Sequence, residues 1–87
     1  MKQPRDISLG KGWTVRFENG EMPVFLEYRK SGKTYGASLA FFEQNFTTSC
    51  DEYEFEAPQS VIDRFEANEE LIYAWEQDWF DRNPREE

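Results

Sequence analysis

"VFLEYRKSGKTYGASL", residues 24–39, decides the fold. Val24, Leu26 and Tyr28 alternate with Phe25, Glu27 and Arg29, and after Lys30 the same beat returns in Tyr35, Ala37 and Leu39. A period of two is the spacing of side chains along one face of a strand. Between the two runs, "KSGK" supplies glycine where a tight turn needs positive φ, so the stretch predicts a β-hairpin.

Upstream, Trp13, Val15 and Phe17 alternate with Thr14, Arg16 and Glu18, and "NGEM" at 19–22 marks a second turn. Pro23 opens the middle strand, where a missing N–H does least harm if that end lies outside the ladder. Residues 12–42 therefore read as an antiparallel meander in which Phe41 prolongs the third strand. "SLAFFEQNF", 38–46, has an alternative reading as a helical turn capped by Ser38. "EQNFTTSC" reads as a loop, and residues 52–56 as a short fourth strand with Tyr53 and Phe55 facing the core.

After Pro58 the period becomes helical. Proline suits a first turn, Val61, Ile62 and Phe65 share a face, and Asp63 stands three residues after Ser60 as a capping-box partner, which predicts a helix over 58–67. Asn68 reads as the N-cap of a second helix, with Glu69 and Glu70 at the positive end of its dipole. One long kinked helix is the alternative. Leu71, Ile72, Trp75 and Trp79 form the core-facing stripe of that second helix, while Tyr73 and Phe80 fall on a nearly opposite face.

The fold class that follows is α+β: a three- or four-stranded antiparallel meander sheet followed by two C-terminal helices packed on one face. The expected core is Trp13, Phe17, Leu26, Tyr28, Leu39, Val61, Phe65, Leu71, Trp75 and Trp79. Eighty-seven residues fit one small domain, 1–87, with 1–11 and 83–87 as frayed tails. An aromatic content of 17% offsets the small size, because each ring brings roughly 150 to 250 Å² of buriable surface.

Several classes are disfavoured by composition. No apolar run approaches the ~20 residues that span a bilayer, and "MKQPRDISLGKG" lacks the apolar stretch of a signal peptide. One cysteine, Cys50, allows no internal disulfide, and acidic neighbours disfavour its thiolate. The chain has no histidine, so the commonest general base and zinc ligand is missing. A cytoplasmic protein with no metal, no cofactor and no catalytic residues is the expectation.

Charge is the remaining signal. Through Thr47 the chain has seven basic and five acidic residues; from Thr48 onward it has three basic and thirteen acidic, which accounts for the net −8. If 52–56 were a strand, Glu52, Glu54 and Glu56 would form a row at ~6.6 Å spacing. Each neighbouring pair would repel by only about 0.6 kcal/mol in water. So small a cost means that solubility alone also accounts for such a row. The one-sided charge and the two aromatics on the polar helix face point beyond solubility to a partner-binding surface: Asp51, Glu52, Glu54, Glu56, Glu66, Glu69, Glu70, Tyr73, Glu76, Asp78, Phe80 and Asp81. The basic residues Arg29, Lys30 and Lys33 read as a solvated turn, and direct binding of nucleic acid is opposed by the net charge.

In size, acidity and absence of motifs the chain resembles the small phage-encoded inhibitors of CRISPR, restriction or DNA-repair complexes. That resemblance implies an inhibitor that mimics DNA, offering carboxylates to the lysines and arginines of a nucleic-acid-binding protein. The alternatives are a housekeeping adaptor or assembly subunit docking through exposed aromatics and, third, an enzyme using a pair of carboxylates.

Overall fold

The computed structural model describes residues 2–17, 21–48 and 54–84. Strands β1 (Ile7–Gly10), β2 (Trp13–Phe17), β3 (Val24–Lys30) and β4 (Lys33–Ser38) form an antiparallel sheet in the order β1-β2-β3-β4. Helices α1 (Leu39–Asn45), α2 (Gln59–Ala67) and α3 (Glu69–Arg82) follow. The α+β arrangement of a meander with two C-terminal helices is the one the periodicities predict.

The fourth strand precedes the meander instead of following it at 52–56 as expected. Ile7–Gly10, placed by sequence in a frayed tail, pairs with β2 through Ile7↔Val15 and Ser8↔Thr14. The turn that brings it back is Lys11–Gly12, with φ of 51° and 86°. Two successive positive φ values are what a two-residue hairpin of matching twist requires. Gly12 is needed for space as well, because a Cβ there would stand 2.6 Å from the carbonyl oxygen of Arg29. Ser31 and Gly32, at 52° and 79°, repeat this geometry in the "KSGK" turn. Most of "NGEM" lies outside the described residues.

Residues 54–56, in turn, do not form a strand of the sheet. Glu56 makes an isolated bridge to Thr47, and the buried Thr48 holds Phe55 from both sides: its N–H donates to the Phe55 carbonyl at 3.2 Å and its Oγ1 accepts from the Phe55 N–H at 3.3 Å. The segment thus pairs with the chain just after α1. Phe55 still turns inward, with its ring 5.1 Å from Tyr28 and 4.7 Å from Tyr35.

Register places Trp13 opposite Tyr28, Val15 opposite Leu26, and Phe17 opposite Val24, all on the face the helices cover. Trp13 stacks on Tyr28 at 4.9 Å, and Phe42 lies 5.7 Å from Trp13 and 5.0 Å from Phe65. One chain of rings therefore joins the sheet to α1 and α2. Beyond the Phe25↔Ser38 pair, β3 has only Val24 left to offer a continuing strand, and β4 passes directly into α1. Ser38 is the N-cap, its Oγ accepting from the Phe41 N–H at 3.2 Å. The helical reading of 38–46 holds: Leu39 and Phe42 are buried at helical spacing, while Phe41 is only partly buried.

Three local expectations need correction. Pro58 occupies the N-cap position of α2 with no side-chain cap, so Ser60 lies inside the helix and the capping box does not form; Asp63 accepts from Gln59 instead, at 2.9 Å. Asn68 does separate two helices, but its amide donates back to the Arg64 carbonyl at 2.7 Å and closes α2 instead of capping α3. Leu71 is 38% exposed and Ile72 fully buried. The buried stripe of α3 is centred on Ile72, Trp75 and Trp79, which leaves Leu71 at its edge. Among the described residues no helix is long and apolar enough to cross a membrane.

Candidate binding cleft between α1 and α3

The two layers carry opposite charge. Strands β1–β4 contain four basic residues and one acidic, whereas helices α1–α3 contain eight acidic and two basic. Both helical arginines have nearby neighbours: Arg82 pairs with Asp78 at 2.9 Å and lies 5.1 Å from the Trp75 ring, and Arg64 reaches across to Gly10 of β1. On the sheet, Arg16 bridges Glu27 at 3.0 Å and Asp6 at 3.5 Å.

The predicted site residues do not form one row. Asp51 and Glu52 lie outside the described residues. Glu54 and Glu56 are exposed in the segment before α2, with Phe55 and Ala57 turned inward between and after them. Glu66 on α2 and Glu70 on α3 face solvent. Asp78 is tied to Arg82, and Asp81 accepts from Gln77 at 3.0 Å. What the fold gathers is a different subset: Glu69, Tyr73, Glu76 and Phe80, spaced four, three and four apart on one flank of α3.

This flank faces α1. Tyr73, 38% exposed, sets its phenol beside the Glu43 carboxylate. Its pKa is driven well above the ordinary tyrosine range, first by partial burial and then by that neighbouring carboxylate and the charges of Glu69 and Glu76. Glu76 is also raised, by loss of solvent and then by repulsion from Glu43. Phe80 is half-buried and meets Trp79 edge-on at 5.2 Å, so it belongs partly to the core and partly to the surface.

Between this flank, the first residues of α1 and the approach to β3 lies a cleft of about 420 Å³. Glu76, Trp79, Phe80, Asn83 and Pro84 form one wall; Ser38, Leu39 and Ala40 form another; Glu21, Met22, Pro23 and Val24 complete it. Among the described residues its lining contains two carboxylates and no lysine or arginine. The indole N–H of Trp79 is buried and has no hydrogen-bond partner. Asn83 closes the helix there, its Nδ2 donating to the Trp79 carbonyl at 2.9 Å.

Glu43, Ala40, Met22, Pro84 and the unpaired Trp79 N–H escape sequence reading. The first two had a signal: the Ser38-capped helix places Ala40 and Glu43 on one exposed flank, three residues apart. Met22 and Pro84 join the cleft only through tertiary packing. Among the described residues no group of three His, Cys, Asp or Glu side chains is arranged to hold a metal ion. Comparison with known proteins finds no matching protein-family model, no similar curated protein and no similar solved structure.

Proposed function

We propose that this chain is a small binding protein that docks its acidic helical layer on a basic surface of another protein, a surface that partner otherwise offers to nucleic acid, and so acts as a competitive inhibitor. The observation that carries this reading is the partition of charge between layers, with eight acidic residues on the helices against one on the strands. A one-sided field steers an oppositely charged surface into contact and disfavours the wrong face. The reading needs no cofactor and no chemistry. Because residues 54–56 form no strand of the sheet, the described acids are distributed over α2, α3 and the segment before α2, so the mimicry is of a charged surface and not of an evenly spaced phosphate row.

The exposed ring of Tyr73 favours a second reading, an adaptor whose affinity comes from aromatic docking with the acids setting only the rate of approach. Affinity capture from a bacterial lysate, with the captured protein then titrated by salt and by duplex DNA, separates the two. Competitive inhibition requires a partner that binds nucleic acid and is released both by DNA and by raised ionic strength. A partner indifferent to both overturns it in favour of the adaptor. Reversing Glu52, Glu54 and Glu56 to lysine together should leave folding intact, at most about 0.5 kcal/mol per site, and weaken capture.

A further inference from the structure

Building on that reading, we propose that the cleft between α1 and α3 receives one lysine or arginine side chain of the protein partner, its cation at Glu76 and its aliphatic stem on the apolar walls. Three observations converge on this occupant. First, the cleft combines apolar and aromatic surface with the carboxylates of Glu21 and Glu76, and no described residue lining it is a cation. That is the complement of a long stem ending in a positive charge. Second, Glu76 is partly removed from water beside the charge of Glu43, and among the described residues it has no ion-pair partner. A half-buried carboxylate beside a second carboxylate is relieved, while ionised, by a cation, and no described residue of the cleft supplies one.

Third, Trp79 lines the same cleft, is 8% exposed, and keeps a buried indole N–H without an acceptor. Buried donors are nearly always paired, so this one marks a place where an acceptor is missing. A protein segment carries both groups at once, since the side-chain cation and a backbone carbonyl belong to the same short stretch. An anionic ligand is opposed by Glu21, Glu43 and Glu76. A bare amine supplies the charge but leaves the indole unsatisfied.

The test uses the full chain, labelled with nitrogen-15, and three capped tripeptides in which arginine, lysine or glutamine stands between two alanines. The arginine and lysine peptides should shift the Trp79 indole resonance saturably, and the glutamine peptide should not. Glu76→Gln should weaken binding about tenfold, the order expected for losing one charge-assisted hydrogen bond. Ala40→Phe, at the exposed rim of the cleft, should block binding while leaving every carboxylate in place. Glu54→Lys with Glu56→Lys should leave the tripeptide affinity unchanged. An unmoved Trp79 resonance overturns the proposal; so do equal binding of the glutamine peptide and a response to spermidine as strong as to the arginine peptide.

The two readings fail separately. Capture of a basic partner that survives Glu76→Gln and Ala40→Phe but is lost on reversing the exposed acids removes the cleft and leaves the charged layer. Tripeptide binding at Trp79 with no competition between a partner and nucleic acid removes the inhibitor reading and leaves the cleft.

Discussion

The indole N–H of Trp75 donates to the carbonyl of Pro23 at 2.8 Å, in a fully buried contact between residues 52 positions apart. One turn later Trp79 presents the same group with no acceptor. The first contact fastens α3 to the start of β3 and thereby fixes the wall of the cleft to which the second belongs.

Trp75→Phe should remove that bond while keeping most of the packing, and should cost about 1 to 3 kcal/mol because the Pro23 carbonyl is left buried without a donor. Trp75→Ala should cost about 3 to 5 kcal/mol, enough to unfold a domain of this size. Urea denaturation measures both. A phenylalanine variant as stable as the parent would show that the bond contributes nothing.

Stability should depend on the charge of Glu76 in a defined direction. Its folded pKa lies above the ordinary 4.5 because burial and Glu43 disfavour the anion. The protonated form is therefore the better fit, and its stabilisation, complete below the unfolded value, is lost as pH rises through the folded value. Glu76→Gln, which stays neutral, should melt higher than the parent at pH 7, with the gap closing toward pH 4. Thermal melting across that range checks the sign; a gap widening toward acid pH contradicts it.

Neighbouring residues of α3 should respond unequally. Ile72→Ala should cost about 2 to 5 kcal/mol, because Ile72 is fully buried. Leu71→Ala should cost about 0.5 kcal/mol or less. Comparable losses at both sites would mean that the helix is rotated about its axis relative to the sheet.

Tyr73 and Phe80 should likewise separate. Phe80→Ala loses a half-buried ring and its contact with Trp79 and should cost about 2 kcal/mol. Tyr73→Ala should barely alter the melt and should act on partner affinity, since Tyr73 is more exposed than any described aromatic residue. A melt lowered by ten degrees or more in the Tyr73 variant would place that ring in the core.

Gly12→Ala should destabilise by more than about 1 kcal/mol, combining a left-handed backbone with a Cβ pressed on the Arg29 carbonyl. Gly32→Ala has the same backbone demand and open space around it, so it should cost less. Equal losses would mean that the close approach at Gly12 relaxes freely.

The alternation over 13–17 and 24–37 and the Ser-Gly turn carried the sheet in the sequence, and the Trp75 and Trp79 spacing carried the helical layer. β1 was hidden because four residues hold only two apolar positions, Ile7 and Leu9, too few for a period to stand out. The segment 54–56 kept the alternation of a strand without its partner, since hydrogen bonds to residues 46–48 satisfied its backbone instead. Charge segregation was readable from composition, but Glu43 and Glu76 meet only because β4 turns directly into α1 and carries Glu43 toward α3. Long-range packing of that kind leaves no trace in local periodicity.

Ser38 ends β4 and caps α1 in a single residue. A strand that becomes a helix with no intervening residue has no hinge, and the side chain that would have to let go is the one holding the first turn. The wall of the cleft formed by Leu39 and Ala40 is therefore an extension of the sheet. With Trp75 anchoring the opposite wall to Pro23, both sides of the cleft are tied to the ends of sheet strands, so its outline is an imprint of the β3–β4 pairing and a change in that register would reshape the cleft before it touched any residue lining it.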